Sequence, residues 1–202
     1  RVLFRSSTVL AMTTQDAVVQ TLSEGDIGTI ITGQSPFYAT KGGQEADKGI
    51  IYTDHAEFRV QDVLALANGV TGHVGTVVSG QFMVGDRAEM AIDTSLRAST
   101  ARNHSATHLL QAALRQGLGD HVEQAGSFVN GDRLRFDFTH FEAMSDKQIK
   151  QVEELVNKQI ADGLEVRTDI MTMDEAKKAG AMALFGEKYG DVVRVVQVPG
   201  FS

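Results

Sequence analysis

Cysteine is absent from this sequence of 202 residues, so the chain forms no disulfide bond. Any metal ion must therefore be held by histidine, by carboxylates or by residues from another segment. Long apolar runs are missing too. No stretch approaches the roughly 20 uncharged residues of a membrane-spanning helix, and none has the pattern of a secretory signal. We expect a soluble, cytoplasmic protein with a buried core and no membrane partner.

Positive charge is also scarce, with 19 basic against 26 acidic residues and a net charge of −7. Residues 1–100 carry 7 basic and 11 acidic side chains and residues 101–202 carry 12 and 15, so neither half is a basic arm. Because counterion release from phosphates supplies most nucleic-acid affinity, this composition argues mildly against RNA binding. The chain begins at Arg1 rather than Met and stops directly after a strand-like run. We expect both ends to be internal positions of a longer protein.

The first half has the pattern of β structure, with short apolar or alternating runs broken by glycine. Asn68 and Gly69 favour a tight hairpin between two of these runs. We expect residues 1–94 to form a small, barrel-like β subdomain. The predicted strands are 27–32, 57–66, 71–78 and 87–93.

The second half combines helical and strand patterns. Two capping-box spacings, Ser145 with Gln148 and Thr172 with Glu175, predict helix starts because cap and third residue satisfy each other's backbone donors. The predicted helices are 99–116, 146–161 and 174–183, and the predicted strands are 121–129, 134–138, 164–171 and 192–198. We expect residues 95–202 to be an α+β two-layer module, which makes the whole chain α+β.

Two histidines, His104 and His108, lie four residues apart in the first predicted helix. This spacing places both imidazoles on one helix face, where they can hold one zinc ion together with further ligands. An ordinary, partly buried histidine pair is the alternative. A zinc protease is not indicated, because Ser105 stands where those enzymes carry the glutamate that acts as general base.

Residues 35–49 form a polar, glycine-rich segment between two predicted strands. Gly42 and Gly43 allow the backbone to approach a ligand closely, and Gln44 then offers an amide donor and a carbonyl acceptor. An exposed loop is the alternative. The Gly-Gly-Gln triplet also occurs in peptide release factors, but that resemblance stops at three residues.

These segments together resemble the editing domain of alanine–tRNA ligases. The resemblance covers nearly the whole chain, with its motifs in the family's order. The motifs are SPFYA at 35–39, GGQ at 42–44, DKG at 47–49, RNHSATHLL at 102–110, QAGS at 124–127, LRFDF at 134–138 and LFGEKYG at 184–190. Departures occur in the loop, where the family usually has Thr at position 35, Glu-Ser at 40–41 and Gly at 46.

The resemblance implies a β-rich subdomain followed by the α+β module that threonine–tRNA ligases also carry. It implies hydrolysis of seryl- or glycyl-tRNA(Ala), with the tRNA acceptor end as partner. It also implies zinc on His104 and His108, with two more ligands in a segment expected beyond Ser202. Other domains of the parent ligase would use ATP and Mg²⁺ to attach alanine to tRNA.

The expected site residues follow from the matched positions. Ser35 and Gln44 are the catalytic candidates, Ser35 by reading the hydroxyl of a wrongly attached serine and Gln44 by orienting the ester or a water molecule. They also bind substrate, together with Phe37, Asp47 and Arg102. Arg97 and Arg115 are further candidates for contact with the tRNA end, with plain surface solvation as the alternative.

The sequence is also compatible with two other functions. One is a freestanding hydrolase of the same superfamily that edits tRNA without an attached ligase. The other is a noncatalytic RNA-binding module that keeps the fold without the chemistry.

Overall fold

The computed structural model describes residues 3–179 and 190–201, which fall into two compact units. The first unit contains residues 1–104 and 127–134, and the second contains residues 105–126 and 135–202. The division predicted between residues 94 and 95 stays a prediction. None of the described helices is long and apolar enough to cross a membrane.

The first unit is built on a closed, antiparallel barrel of six strands. Strand β9 pairs with both β5 and β1, and this second pairing closes the sheet. In barrel order the strands are β1 (Phe4–Thr13), β4 (Ile27–Thr32), β7 (Thr71–Ser79), β6 (Glu57–Ala65), β5 (Gly49–Tyr52) and β9 (Arg87–Ile92). Three short strands also belong to this unit, namely β2 (Val18–Val19), β3 (Thr21–Ser23) and β8 (Gln81–Met83).

Alternating sequence explains this barrel. Strand β4 buries every second residue and leaves the others partly or fully exposed, as expected when one face packs on a core. The fully buried side chains Phe58, Phe82 and Ile51 belong to that core. The predicted hairpin is present, with Asn68 at φ 59° and Gly69 at φ 75° in a short 3-10 turn between β6 and β7. The barrel and the α+β class are confirmed.

Helix α1 (Thr94–Leu118) begins five residues before the predicted start at residue 99. The reason is a cap at Asp93, whose Oδ1 accepts a hydrogen bond of 2.9 Å from the backbone N–H of Leu96. A side-chain acceptor at this position satisfies one of the free donors of the first turn. The helix continues until Gly119, which has a φ of 119°.

The second unit packs around Ala113, Leu114, Val122 and Val152. Helix α2 (Asp146–Ala161) has the predicted bounds, and both predicted capping boxes are present. The second unit also contains the short helix α3 (Met173–Lys178) and two antiparallel strands, β12 (Arg167–Thr172) and β13 (Val192–Gln197). Residues 180–183 of the third predicted helix lie outside the described residues, as do positions 184–189 of the LFGEKYG motif.

Strands β10 (Gln124–Val129) and β11 (Leu134–Phe138) form the predicted two-stranded hairpin, although β10 starts three residues later than expected. The tip of this hairpin, residues 127–134, belongs to the first unit. It lies beside the glycine-rich segment, and this position determines the geometry of the candidate site.

Candidate functional site

The glycine-rich segment of the first unit, residues 35–49, makes a tight turn at Gly42 and Gly43. The backbone N–H and C=O groups of Lys41 and Gln44 bond to each other across the turn at 3.1 and 3.3 Å. Both central glycines have positive φ, 59° and 79°, as a type I′ turn requires. The turn therefore needs glycine, which adopts this backbone conformation without steric cost.

Strand β10 holds this turn in place. Val129 donates its N–H to the carbonyl of Gly43 at 2.8 Å and accepts from the N–H of Glu45 at 2.9 Å. The approach is so close that a Cβ on Gly43 would lie 2.5 Å from the carbonyl oxygen of Ser127. Gly42 and Gly43 were predicted to let the backbone approach a ligand. In the structure the turn instead approaches strand β10 of the same protein.

Gln44, at the end of the turn, is buried with 4% of its surface exposed. Its Oε1 lies 2.8 Å from Nδ1 of His104 on α1. An amide oxygen can only accept, so Nδ1 of His104 donates and the lone pair of a neutral ring is on Nε2. The structure therefore brings together two residues 60 positions apart that come from different sequence motifs.

Asp47 and Arg97 form a buried ion pair that ties the same segment to the start of α1. Arg97 Nε donates to Asp47 Oδ1 at 2.7 Å, and its second nitrogen bonds to Oδ2. Asp47 Oδ2 also accepts from the N–H of Tyr38 at 2.6 Å. The hydrogen bonds that Arg97 donates to Asp47 raise the pKa of Arg97 above its usual value. Both carboxylate oxygens of Asp47 are thus engaged within the protein.

Ser35 and Phe37 meet a histidine that the sequence did not indicate as a site residue. Ser35 Oγ lies 2.8 Å from Nε2 of His73, and it accepts from the N–H of Phe37 at 3.0 Å. The Phe37 ring is buried and packs edge-on against the His73 ring, with centroids 5.2 Å apart. Burial lowers the pKa of His73 to about 4.

Two other predicted residues lie apart from these contacts. Arg102 is exposed on α1 and bonds to Ser99 Oγ at 2.8 Å. His108, one turn after His104 on α1, belongs to the second unit and is exposed. There it lines a cavity of about 160 Å³ whose walls include Leu109, Ile160 and Val196.

His104 and His108 have side chains that can bind zinc, but two ligands do not complete a zinc site. Among residues 3–179 and 190–201, no three or more of His, Cys, Asp and Glu are grouped to hold a metal ion. The two imidazoles of α1 have the spacing of a paired ligand set. The bond from His104 Nδ1 to Gln44 is also the kind of outer contact that orients a metal-binding imidazole. Zinc binding by His104 and His108 stays a prediction.

Sequence reasoning missed His73 and misjudged Arg97. A histidine between Gly72 and Gly75 in an alternating strand was a signal for a buried polar side chain, since small neighbours leave room for it. Arg97 was assigned to the surface or to tRNA. That prediction is wrong, because its side chain is 11% exposed and bound to Asp47.

The sequence of this chain is similar to that of known proteins. Residues 3–96 match the family model of the class II (A) tRNA synthetases. The barrel and the glycine-rich segment both lie within this match.

Comparison with individual proteins gives a narrower relationship. The chain is 53% identical over 197 residues to alanine–tRNA ligase 1 of Lachnoclostridium phytofermentans, which is 98% of the chain. It is 50% identical to the alanine–tRNA ligase of Nitrosomonas europaea over 96% of its length, and 48% identical to that of Carboxydothermus hydrogenoformans over 99%. The chain is therefore homologous to one segment of the alanine–tRNA ligases. It spans 22–23% of the length of these relatives.

The close approach of the turn to β10 predicts a position-specific cost for adding a methyl group. Gly43→Ala and Gly69→Ala both force alanine into positive φ, which costs about 1–2 kcal/mol. A Cβ at Gly69 meets nothing within 4 Å, whereas one at Gly43 meets Ser127. We expect urea unfolding to show a loss for Gly43→Ala that exceeds that of Gly69→Ala by about 1–3 kcal/mol. Equal losses would contradict the close approach.

Burial of His73 predicts a pH-dependent stability. Its pKa is lowered from 6.5 to about 4, so between these values the unfolded chain binds a proton that the folded chain does not. The contribution of His73 to the free energy of unfolding is therefore constant above pH 6.5. It falls by about 3 kcal/mol as the pH drops to about 4. Urea unfolding across this range should show a loss in the original protein that exceeds the loss in His73→Gln by about 3 kcal/mol. His55→Gln, at an exposed position, is the control and should keep the original profile.

Proposed function

We propose that this chain is the editing segment of an alanine–tRNA ligase, which hydrolyses the ester of tRNA(Ala) charged with serine or glycine. The observation that carries this proposal is the hydrogen bond of 2.8 Å between Gln44 and His104. It joins the glycine-rich turn to the histidine motif, the two motifs that carry the resemblance. Homology along the chain to alanine–tRNA ligases supports the same assignment.

An alanine-activating pocket creates the need for such a site. Glycine lacks one methyl group and serine adds one hydroxyl, and one small group changes binding by only about 1–3 kcal/mol. A second site with a different selectivity is needed to remove the errors. For serine, polar groups that read a hydroxyl can provide this selectivity, because they are left unpaired when the hydroxyl is absent.

We assign the recognition step to Ser35 and the orientation of the ester or the attacking water to Gln44. Gln44 also holds the ring of His104 through Oε1. Phe37 contributes by packing on His73 and by donating its N–H to Ser35. Asp47 contributes to substrate binding by fixing the segment, since Arg97 and Tyr38 engage both its oxygens. The exposed Arg102 is assigned to the tRNA acceptor end.

His104 and His108 are the proposed zinc ligands, with the remaining ligands supplied by a segment beyond Ser202. Zinc bound there would supply a Lewis acid for the negative charge that develops on the carbonyl oxygen of the ester. The protein's contribution is to hold the His104 ring, since Gln44 fixes its Nδ1 proton.

The activities of the whole ligase are a further part of the proposal. Attachment of alanine to tRNA(Ala), with ATP and Mg²⁺, belongs to domains outside these residues, and the cytoplasm is the proposed location. Two alternatives are outcomes of the test below, a freestanding editing hydrolase and a noncatalytic RNA-binding module.

The proposal predicts that hydrolysis requires residues beyond Ser202. We expect the 202-residue chain to deacylate seryl-tRNA(Ala) slowly or not at all, because it lacks part of the ligand set. A longer protein that includes the following segment should deacylate seryl-tRNA(Ala) and spare alanyl-tRNA(Ala). Release of labelled amino acid from the charged tRNA measures both rates. Equal rates for the short and long proteins would contradict the dependence on further ligands.

The same assay tests the contact that carries the proposal. In the longer protein, Gln44→Ala should lower seryl-tRNA(Ala) hydrolysis by about 10–100-fold, the usual loss when an outer partner of a metal-binding imidazole is removed. Gln61→Ala, on the exposed face of β6, is the matched control and should keep full activity. A longer protein that binds tRNA without hydrolysing any ester would identify the noncatalytic module. Flanking sequence without a ligase core would identify the freestanding hydrolase.

Zinc binding gives an independent prediction. We expect the 202-residue chain to bind zinc weakly and the longer protein to bind about one ion per chain. His104→Ala and His108→Ala should each lower zinc affinity by at least about tenfold, measured by competition with a chromophoric chelator. His55→Ala is the control for an exposed histidine of the first unit. Unchanged affinity in both α1 variants would rule out these ligands.

A further inference from the structure

His73 lies on β7 and is completely buried, yet it is one of the few polar side chains in the barrel core. Its Nδ1 is 2.9 Å from the carbonyl oxygen of Ile30, on the neighbouring strand β4. A carbonyl oxygen can only accept, so Nδ1 carries the ring proton. Since burial lowers the pKa of His73 to about 4, the ring is neutral at neutral pH and Nε2 has a lone pair.

This proton arrangement determines the direction of the next hydrogen bond. Ser35 Oγ lies 2.8 Å from Nε2, which has no proton to give, so the serine hydroxyl donates. The N–H of Phe37 meanwhile donates to Ser35 Oγ at 3.0 Å. A hydroxyl has one proton and two acceptor lone pairs. With the proton used on His73 and one lone pair used by Phe37, Ser35 can offer a ligand an acceptor.

We infer that His73 is a positioning residue that makes the Ser35 hydroxyl a hydrogen-bond acceptor and so selects aminoacyl groups that carry a hydroxyl donor. This inference rests on the proposed function and adds to it the source of the preference for serine. A seryl group donates its side-chain hydroxyl to Ser35, whereas alanyl and glycyl groups have no donor there. Ser35 is half-buried rather than enclosed in the core.

The first test determines the tautomer directly, without any ligand. Long-range ¹H–¹⁵N correlation spectra of the 202-residue chain distinguish a ring protonated at Nδ1 from one protonated at Nε2. We expect the Nδ1-protonated form for His73, assigned by comparison with His73→Gln. The Nε2-protonated form at neutral pH would overturn the inference, because His73 would then donate to Ser35.

The second test uses the longer protein that includes the segment following Ser202. It measures binding of non-hydrolysable seryl, alanyl and glycyl amides of 3′-aminoadenosine by NMR titration. One neutral hydrogen bond corresponds to about a fivefold preference for the seryl compound. We expect Ser35→Ala and His73→Leu each to remove most of this preference. The double variant should lose no more than Ser35→Ala alone, because both changes remove the same interaction.

Two further variants separate positioning from stability. His73→Gln keeps an amide oxygen that can accept the Ser35 proton, and we expect it to restore part of the seryl preference. Val77→Ala removes buried methyl groups from the same strand and should lower stability while leaving the preference unchanged. If His73→Leu weakens all three amides equally, His73 has a structural role and the inference is overturned.

The outcomes also distinguish this inference from the proposed function. A protein that prefers the seryl amide with or without His73 keeps the editing function and overturns the positioning role. A protein that binds none of the three amides overturns both.

Discussion

The buried ion pair between Arg97 and Asp47 joins the start of α1 to the end of the glycine-rich segment. Removing two charges from water is costly, and the cost is offset here because both carboxylate oxygens are bonded. Arg97 also donates to the carbonyl of Pro36 at 3.4 Å, while Asp47 accepts from Tyr38. The backbone on both sides of Phe37 is thereby fixed, and Ser35 is held where its hydroxyl meets His73. Loss of one charge would leave its partner buried and unpaired, a change that costs about 3–5 kcal/mol in such pairs.

The segment is held at a second place, where Val129 bonds to Gly43 and Glu45. With both anchors present, Ser35 and Gln44 are positioned by backbone hydrogen bonds and charge rather than by loose packing. Each then meets a histidine, His73 in the barrel and His104 on α1. Preorganised polar groups of this kind need no rearrangement during a reaction, which is the main source of electrostatic catalysis. A segment anchored at two places therefore agrees with the proposed hydrolytic role better than an unanchored surface loop would.

The sequence predicted those parts of the fold that depend on residues close to one another in the chain. Helix α2 and both capping boxes were predicted because cap and partner lie three residues apart. The family resemblance marked Gln44 and His104 as separate site residues, but their contact, across 60 positions, was not predicted by spacing. The pairings of Arg97 with Asp47 and Ser35 with His73 span 50 and 38 positions. They depend on closure of the barrel and on burial, which local patterns do not specify. The early start of α1 was predictable, since Asp93 is a good cap.

The negative charge of the chain limits what this segment contributes under the proposed function. Affinity for tRNA comes largely from neutralised phosphates, and a chain with a net charge of −7 has little general attraction for them. Arg97 is also unavailable for this purpose, because it is buried against Asp47. Under the proposed function, most of the affinity for tRNA would then come from other domains of the parent ligase. What remains for this segment is discrimination at the aminoacyl group, where a few oriented hydrogen bonds matter more than net charge. Neutral, buried partners such as His73 and Gln44 suit that task, because their bonds are little screened by salt.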